Sequence, residues 1–131
     1  MILEFLKSIF IPNTYKRGTV SSQTIEKISR DWENIAVLVK GKSPSQLKQA
    51  LITADKTLDA ALKDIVLGDT MGERLKNAKD KFDRATYNRI WDAHKLRNSL
   101  VHEAGFEPGY FTLDGAITNI RMALRKLRIY V

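Results

Sequence analysis

The chain has 131 residues, 44% hydrophobic and 28% charged, enough for one domain with a single core and too few for a catalytic domain plus a regulatory one. Lys and Arg number 22 against 15 Asp and Glu, a formal charge of +7 spread along the chain, which favours acidic partners such as nucleic acid or anionic lipid. Cysteine is absent, so disulfides, thiolate zinc sites and cysteine nucleophiles are excluded, and no glycine-rich phosphate loop or GxSxG elbow occurs.

Residues 1–11 concentrate Ile2, Leu3, Phe5, Leu6, Ile9, Phe10 and Ile11 ahead of Pro12. The stretch is far shorter than the ~20 apolar residues of a membrane span. It lacks the basic start of a signal peptide and carries Glu4 and Lys7. It is expected to dock on the core or on a second subunit, with peripheral contact to a membrane as the alternative. The polar run from Pro12 to Ser22, broken by Gly18, predicts a linker. Two units follow: an apolar appendage with its linker over 1–20, and one helical domain over 21–131.

A first long helix is predicted from Ser21 or Ser22, with Ile25, Ile28, Trp32, Ile35 and Val39 at three- and four-residue steps and Gly41 at its end. Ser43-Pro44-Ser45-Gln46 has the form of a capping box with Pro in the first turn. The helix it opens, over 44–67, carries Leu47, Leu51, Ala54, Leu58, Ala61, Leu62 and Ile65 on one stripe, and Gly68 reads as its stop. Thr70-Met71-Gly72-Glu73 starts a short connecting helix with Leu75 and Ala78 inward. Another helix runs from about Ala85 to Glu103, with Tyr87, Ile90, Trp91, His94, Asn98 and Val101 along one side. After Gly105, Pro108 and Gly109, a last helix begins near Thr112 with Leu113, Ala116, Ile117, Ile120, Leu124 and Leu127 inward. Nothing alternates at period two for long enough to be a strand. The expected fold is all-α: an up-and-down bundle of about four main helices, a short connecting helix and an N-terminal apolar appendage.

The informative segment is Ile90 to Glu103, IWDAHKLRNSLVHE. Within it Arg97, Asn98 and His102 form R-N-x3-H near the end of a helix. This resembles the HEPN superfamily, whose ribonucleases carry R-x4-6-H with a polar residue often directly after the arginine. The helical bundle and the position before the last helix agree with that resemblance. A closer resemblance covers about Gln46 to Leu127, through ALITADKTLDAAL, GDTMGERLK and IWDAHKLRNSLVHE. It is to a family of small bacterial proteins of no established activity, members of which often carry a transmembrane helix ahead of the domain; here only the short apolar start stands in that place.

The resemblance implies a homodimer with two R-x4-H motifs facing one cleft, and RNA as a substrate. In such a site His102 would move the proton of the RNA 2′-hydroxyl and Arg97 would hold the non-bridging phosphate oxygens, with Asn98 orienting the imidazole or touching phosphate. No metal or other cofactor is needed for that chemistry. His94 and His102 are eight residues apart, roughly 12 Å along a straight helix, too far to share a metal.

A non-catalytic reading uses the same residues. Arg97 would pair with Asp55 or Asp59 on the central helix, Asn98 and His102 would satisfy backbone groups at a helix end, and His94, Trp32 and Trp91 would be core residues. Arg121, Arg125 and Arg128 recur at helical spacing and could touch phosphate or lipid headgroups, with a solvated outer face as the plainer reading. Two functions are therefore expected: a HEPN-like dimerisation or interaction module, or a metal-independent endoribonuclease of toxin or defence type. A cytoplasmic location, with or without membrane contact through residues 1–11, fits both.

Overall fold

The computed structural model describes residues 18–131; the apolar segment 1–11 and most of the linker lie outside the described residues. Among the described residues five α-helices follow in order: α1 (Ser22–Gly41), α2 (Pro44–Ile65), α3 (Met71–Asn77), α4 (Arg84–His102) and α5 (Tyr110–Lys126), with a 3-10 turn at Lys79–Lys81 between α3 and α4. No β-strand occurs among the described residues.

All of these helices but α5, which follows Gly109, start where short polar side chains can take up the free N–H groups of a first turn. Ser21, Ser43, Thr70 and Asp83 each accept a hydrogen bond from the main-chain N–H three residues on. The expected capping box at Ser43 and the start of α3 at Thr70, which has the same S/T-x-x-E/Q form, both close differently from the ideal. Gln46 receives the Ser43 hydroxyl on Oε1 (2.9 Å), and Glu73 accepts from the Asp69 N–H (2.7 Å). α1 ends with Lys42 in the left-handed region at φ 59°.

Long-range pairs fix the directions of the helices. The Trp32 indole N–H donates to Thr57 Oγ1 (3.0 Å), and the Ser21 N–H donates to Asp64 Oδ2 (2.9 Å), so α1 and α2 run antiparallel. Lys48–Glu107 (2.7 Å) and Asp55–His94 (3.1 Å) set α2 against α4, and Lys126–Asp83 (3.6 Å) sets the end of α5 against the start of α4. The four long helices therefore run up and down, with α2 touching every other helix.

That centrality follows from the α2 sequence. Leu47, Leu51, Leu58, Leu62 and Ile65 are buried, and Ala50, Ala54 and Ala61 between them are fully covered, letting neighbouring backbones come close. α5 adds Leu113, Ala116, Ile117, Ile120 and Leu124, and α4 adds Ile90 and Ala93.

Two boundaries and one helix face differ from expectation. α2 ends at Ile65, because Val66 turns to extended backbone and buries its side chain. Gly68 is thus not the helix stop. It sits at φ 149°, where an added Cβ would come within 2.8 Å of Arg74 Cγ and 2.9 Å of Arg74 N. α5 begins at Tyr110, earlier than Thr112. On α4 the inward face turns toward Thr86, Ile90 and Ala93, leaving Val101 49% exposed.

Leu58 is fully buried at the centre of α2. Leu58→Asp should abolish cooperative folding, since an unpaired carboxylate would be driven into the core. An unchanged melting temperature in that variant would show the core to be assigned wrongly.

The cap of α4 gives a pH test. The Thr86 hydroxyl and then the Thr86 N–H, both donated to the carboxylate, hold Asp83 down from 3.8 to about 2, and Lys126 adds to the pull. A depressed carboxylate stabilises fully above its unfolded value near 3.8 and loses that contribution as pH falls toward about 2. Asp83→Ala should melt below the parent at neutral pH, and the gap should narrow through that window. Asp83→Asn should keep the cap and lose the pH dependence. A gap that stays constant down to pH 2 would contradict the assignment.

Candidate functional site

Asp55 lies on α2 beside Ala54 and Leu58 and is 3% exposed. A carboxylate buried this deeply needs partners, and α4 supplies them. His94 presents Nδ1 at 3.1 Å and 3.2 Å from the two carboxylate oxygens. Arg97, one turn further on, brings its Nε to 3.6 Å from Asp55 Oδ2, an ion pair without a hydrogen bond, so this buried N–H is left unbonded.

The remaining contacts close a ring. Arg97 Nη1 donates to Asn98 Oδ1 (3.1 Å), and Asn98 Nδ2 lies 3.5 Å from His94 Nε2. The tautomer that satisfies both sides of the imidazole carries its proton on Nδ1, donates to Asp55 and accepts from Asn98. Four side chains, Asp55, His94, Asn98 and Arg97, thus contact one another in a closed ring across the α2–α4 contact, with only the Arg97 Nε–H left unbonded. The ring edge of Trp91 approaches His94 with centroids 6.1 Å apart, and Tyr87 meets Trp91 edge-on at 6.3 Å.

Asp59 is occupied elsewhere. Arg74, buried at the base of α3, donates through Nε to Oδ1 (2.7 Å) and through Nη2 to Oδ2 (3.0 Å), and its Nη1 donates to the Gly68 carbonyl (2.7 Å). This fork explains Gly68: a side chain there would collide with Arg74. Of the two carboxylates that could meet Arg97, Asp55 does so, because a 40° offset between i and i+4 turns Asp55 to α4 and Asp59 to α3.

The sequence-derived site residues separate into three places. Arg97 and Asn98 belong to the buried ring. His102 is the last residue of α4 and exposed, and no hydrogen bond or ion pair among the described residues joins it to Arg97. Of the basic run, Arg121 and Arg125 both donate to the main-chain oxygen of Val131. Arg128 lies beyond α5 at φ 65°, so the helical spacing that grouped the three arginines does not extend to it. Among the described residues no three His, Asp or Glu side chains converge in a way that could hold a metal ion, and no helix is long and apolar enough to cross a membrane.

His94 is buried, as its sequence position predicts, and its pairing with Asp55 is added by the facing helix. The available signal was an aspartate in an apolar, alanine-rich stripe, which requires a polar partner from a facing helix. No family model matches the chain, and searches of the curated proteins and of solved structures gave no match.

Arg97 is 31% exposed, so its removal should cost less than the ~3–5 kcal/mol of a fully buried pair, about 1–2 kcal/mol. In a double-mutant cycle read by denaturant melts, Asp55→Ala and Arg97→Ala should cost less together than the sum of the single changes. Asp59→Ala and Arg97→Ala should add. Additivity in both cycles would dissolve the ring.

Proposed function

We propose that the chain is a HEPN-like helical interaction module that acts without catalysis and pairs as a homodimer. The observation that carries this is the direction of Arg97. Its guanidinium is turned onto the buried Asp55 and Asn98, whereas His102 stands at the exposed end of α4 without a bond to it. An arginine that neutralises a core carboxylate is poorly placed to follow charge developing on a phosphate.

The dimer reading draws on the surface of α5. Phe111 is 86% and Met122 45% exposed, and the side chain of Tyr110 packs edge-on against Phe111 at 5.2 Å. Eleven residues are about three helical turns, so Phe111 and Met122 face the same way. Apolar side chains aligned on one face favour a self-complementary contact. Light scattering at micromolar concentration should give twice the chain mass. Phe111→Ser with Met122→Ser should yield monomers of unchanged melting temperature. A strictly monomeric parent would defeat the dimer reading.

The second reading is a metal-independent ribonuclease, favoured by the solvent-reachable imidazole of His102 one turn beyond Asn98 on α4. It requires cleavage of RNA, but not DNA, in EDTA, with 2′,3′-cyclic phosphate ends. Arg97→Ala and His102→Ala should then each lower the rate about a hundredfold or more. The interaction module instead requires an inert parent protein and an Arg97→Ala variant that is merely less stable.

A further inference from the structure

Two open grooves, of ≈ 780 Å³ and ≈ 480 Å³, adjoin along the outer side of α3 and α4 and share Lys76 and Asn88 in their linings. Tyr87 lines the first and Trp91 the second. The cations around them are Lys76, Lys79, Arg84 and Lys95, facing the carboxylates of Asp80 and Asp92. No salt bridge among the described residues engages any of the four cations, in contrast to Lys48, Arg74, Arg97 and Lys126 elsewhere on the fold. Lys79 holds its Nζ 5.8 Å from the centroid of the Tyr87 ring.

We infer that this double groove binds a single-stranded polynucleotide. Half-buried aromatic rings offer surfaces on which unstacked bases can lie, and cations spaced between them can track a phosphate backbone. The exposed Asn88 amide adds a donor and an acceptor suited to a base edge. An acidic peptide would use the charges and leave the rings idle. A duplex keeps its bases stacked and would leave them idle too. Arg84 to Lys95 spans about 16 Å of helix, room for a strand of a few nucleotides. The site lies apart from Arg97 and His102, neither of which lines it. It goes beyond the interaction-module reading and does not depend on dimerisation.

The test uses the full chain and labelled oligouridylate and oligothymidylate of about twelve nucleotides, followed by anisotropy and tryptophan emission. Trp32 is buried with its indole bonded to Thr57, so a change in emission on binding reports Trp91. Binding should quench that emission. The Lys79→Gln/Lys95→Gln double variant should lower the salt slope of log K by about 1.4, at ~0.7 for each lost single-strand phosphate contact. Trp91→Leu should weaken binding about tenfold or more. Lys27→Gln/Lys40→Gln removes the same charge from exposed positions on α1 and should preserve most of the affinity. The RNA and DNA arms report whether the 2′-hydroxyl contributes. Four results would each overturn the inference: no binding of either oligomer, equal loss in the α1 control, unquenched emission, or duplex or polyglutamate bound as tightly as the single strand.

Discussion

The carboxylate of Asp55 is the constraint around which α2 and α4 are matched. It lies in the middle of the most buried helix, where solvent cannot satisfy it. Once α4 docks, its His94 and Arg97 become neighbours of Asp55, and Asn98 joins the two of them on their other side. Apolar packing alone tolerates small slips between helices. A polar ring does not, because a shift of one turn would leave a buried carboxylate without partners. The ring thereby fixes the register in which α4 crosses α2.

A second fork, Arg74 on Asp59 and the Gly68 carbonyl, does for α3 what the ring does for α4. The two aspartates are one turn apart on α2 and face different neighbours. Between them they position the start of α3 and the body of α4, and so the grooves between those elements. Trp91 joins the two regions: its ring touches the His94 edge on one side and lines the outer groove on the other. The same α4 sequence therefore serves the core through one edge and presents aromatic and basic side chains to solvent through the other.

That division bears on function. An R-x4-H string on a regular helix has two residues whose directions differ by about 140°, so the helix by itself draws them apart. Here the arginine is drawn inward by a carboxylate and the histidine stays outside. A helix end that loosened, or a second copy contributing its own arginine, would be needed to bring the two groups to one phosphate. Arg121 and Arg125 are likewise drawn onto their own chain at Val131. The cations free of such internal pairing, on the other hand, include those that flank Tyr87 and Trp91.

The all-helical bundle was legible in the sequence because periodicity, capping residues and loop glycines act locally and agree with one another. The alanine-leucine stripe of α2 and the Ser43 and Thr70 caps needed no tertiary information. Neither did the inward set of α5 from Leu113 to Leu124. What local pattern could not contain was the identity of partners. Asp55 and Asp59 are equivalent in sequence, and only the packing of two different elements on α2 assigns Arg97 to one and Arg74 to the other. Gly68 read as a helix stop because a glycine after a helix usually is one, whereas its role depends on an arginine brought back against it in space. The direction of Arg97, the exposure of His102 and the adjoining grooves beside Tyr87 and Trp91 are likewise products of how α4 rolls onto α2 and α5. That roll is set by the polar ring and the core together, and hydrophobic spacing along a single helix does not encode it.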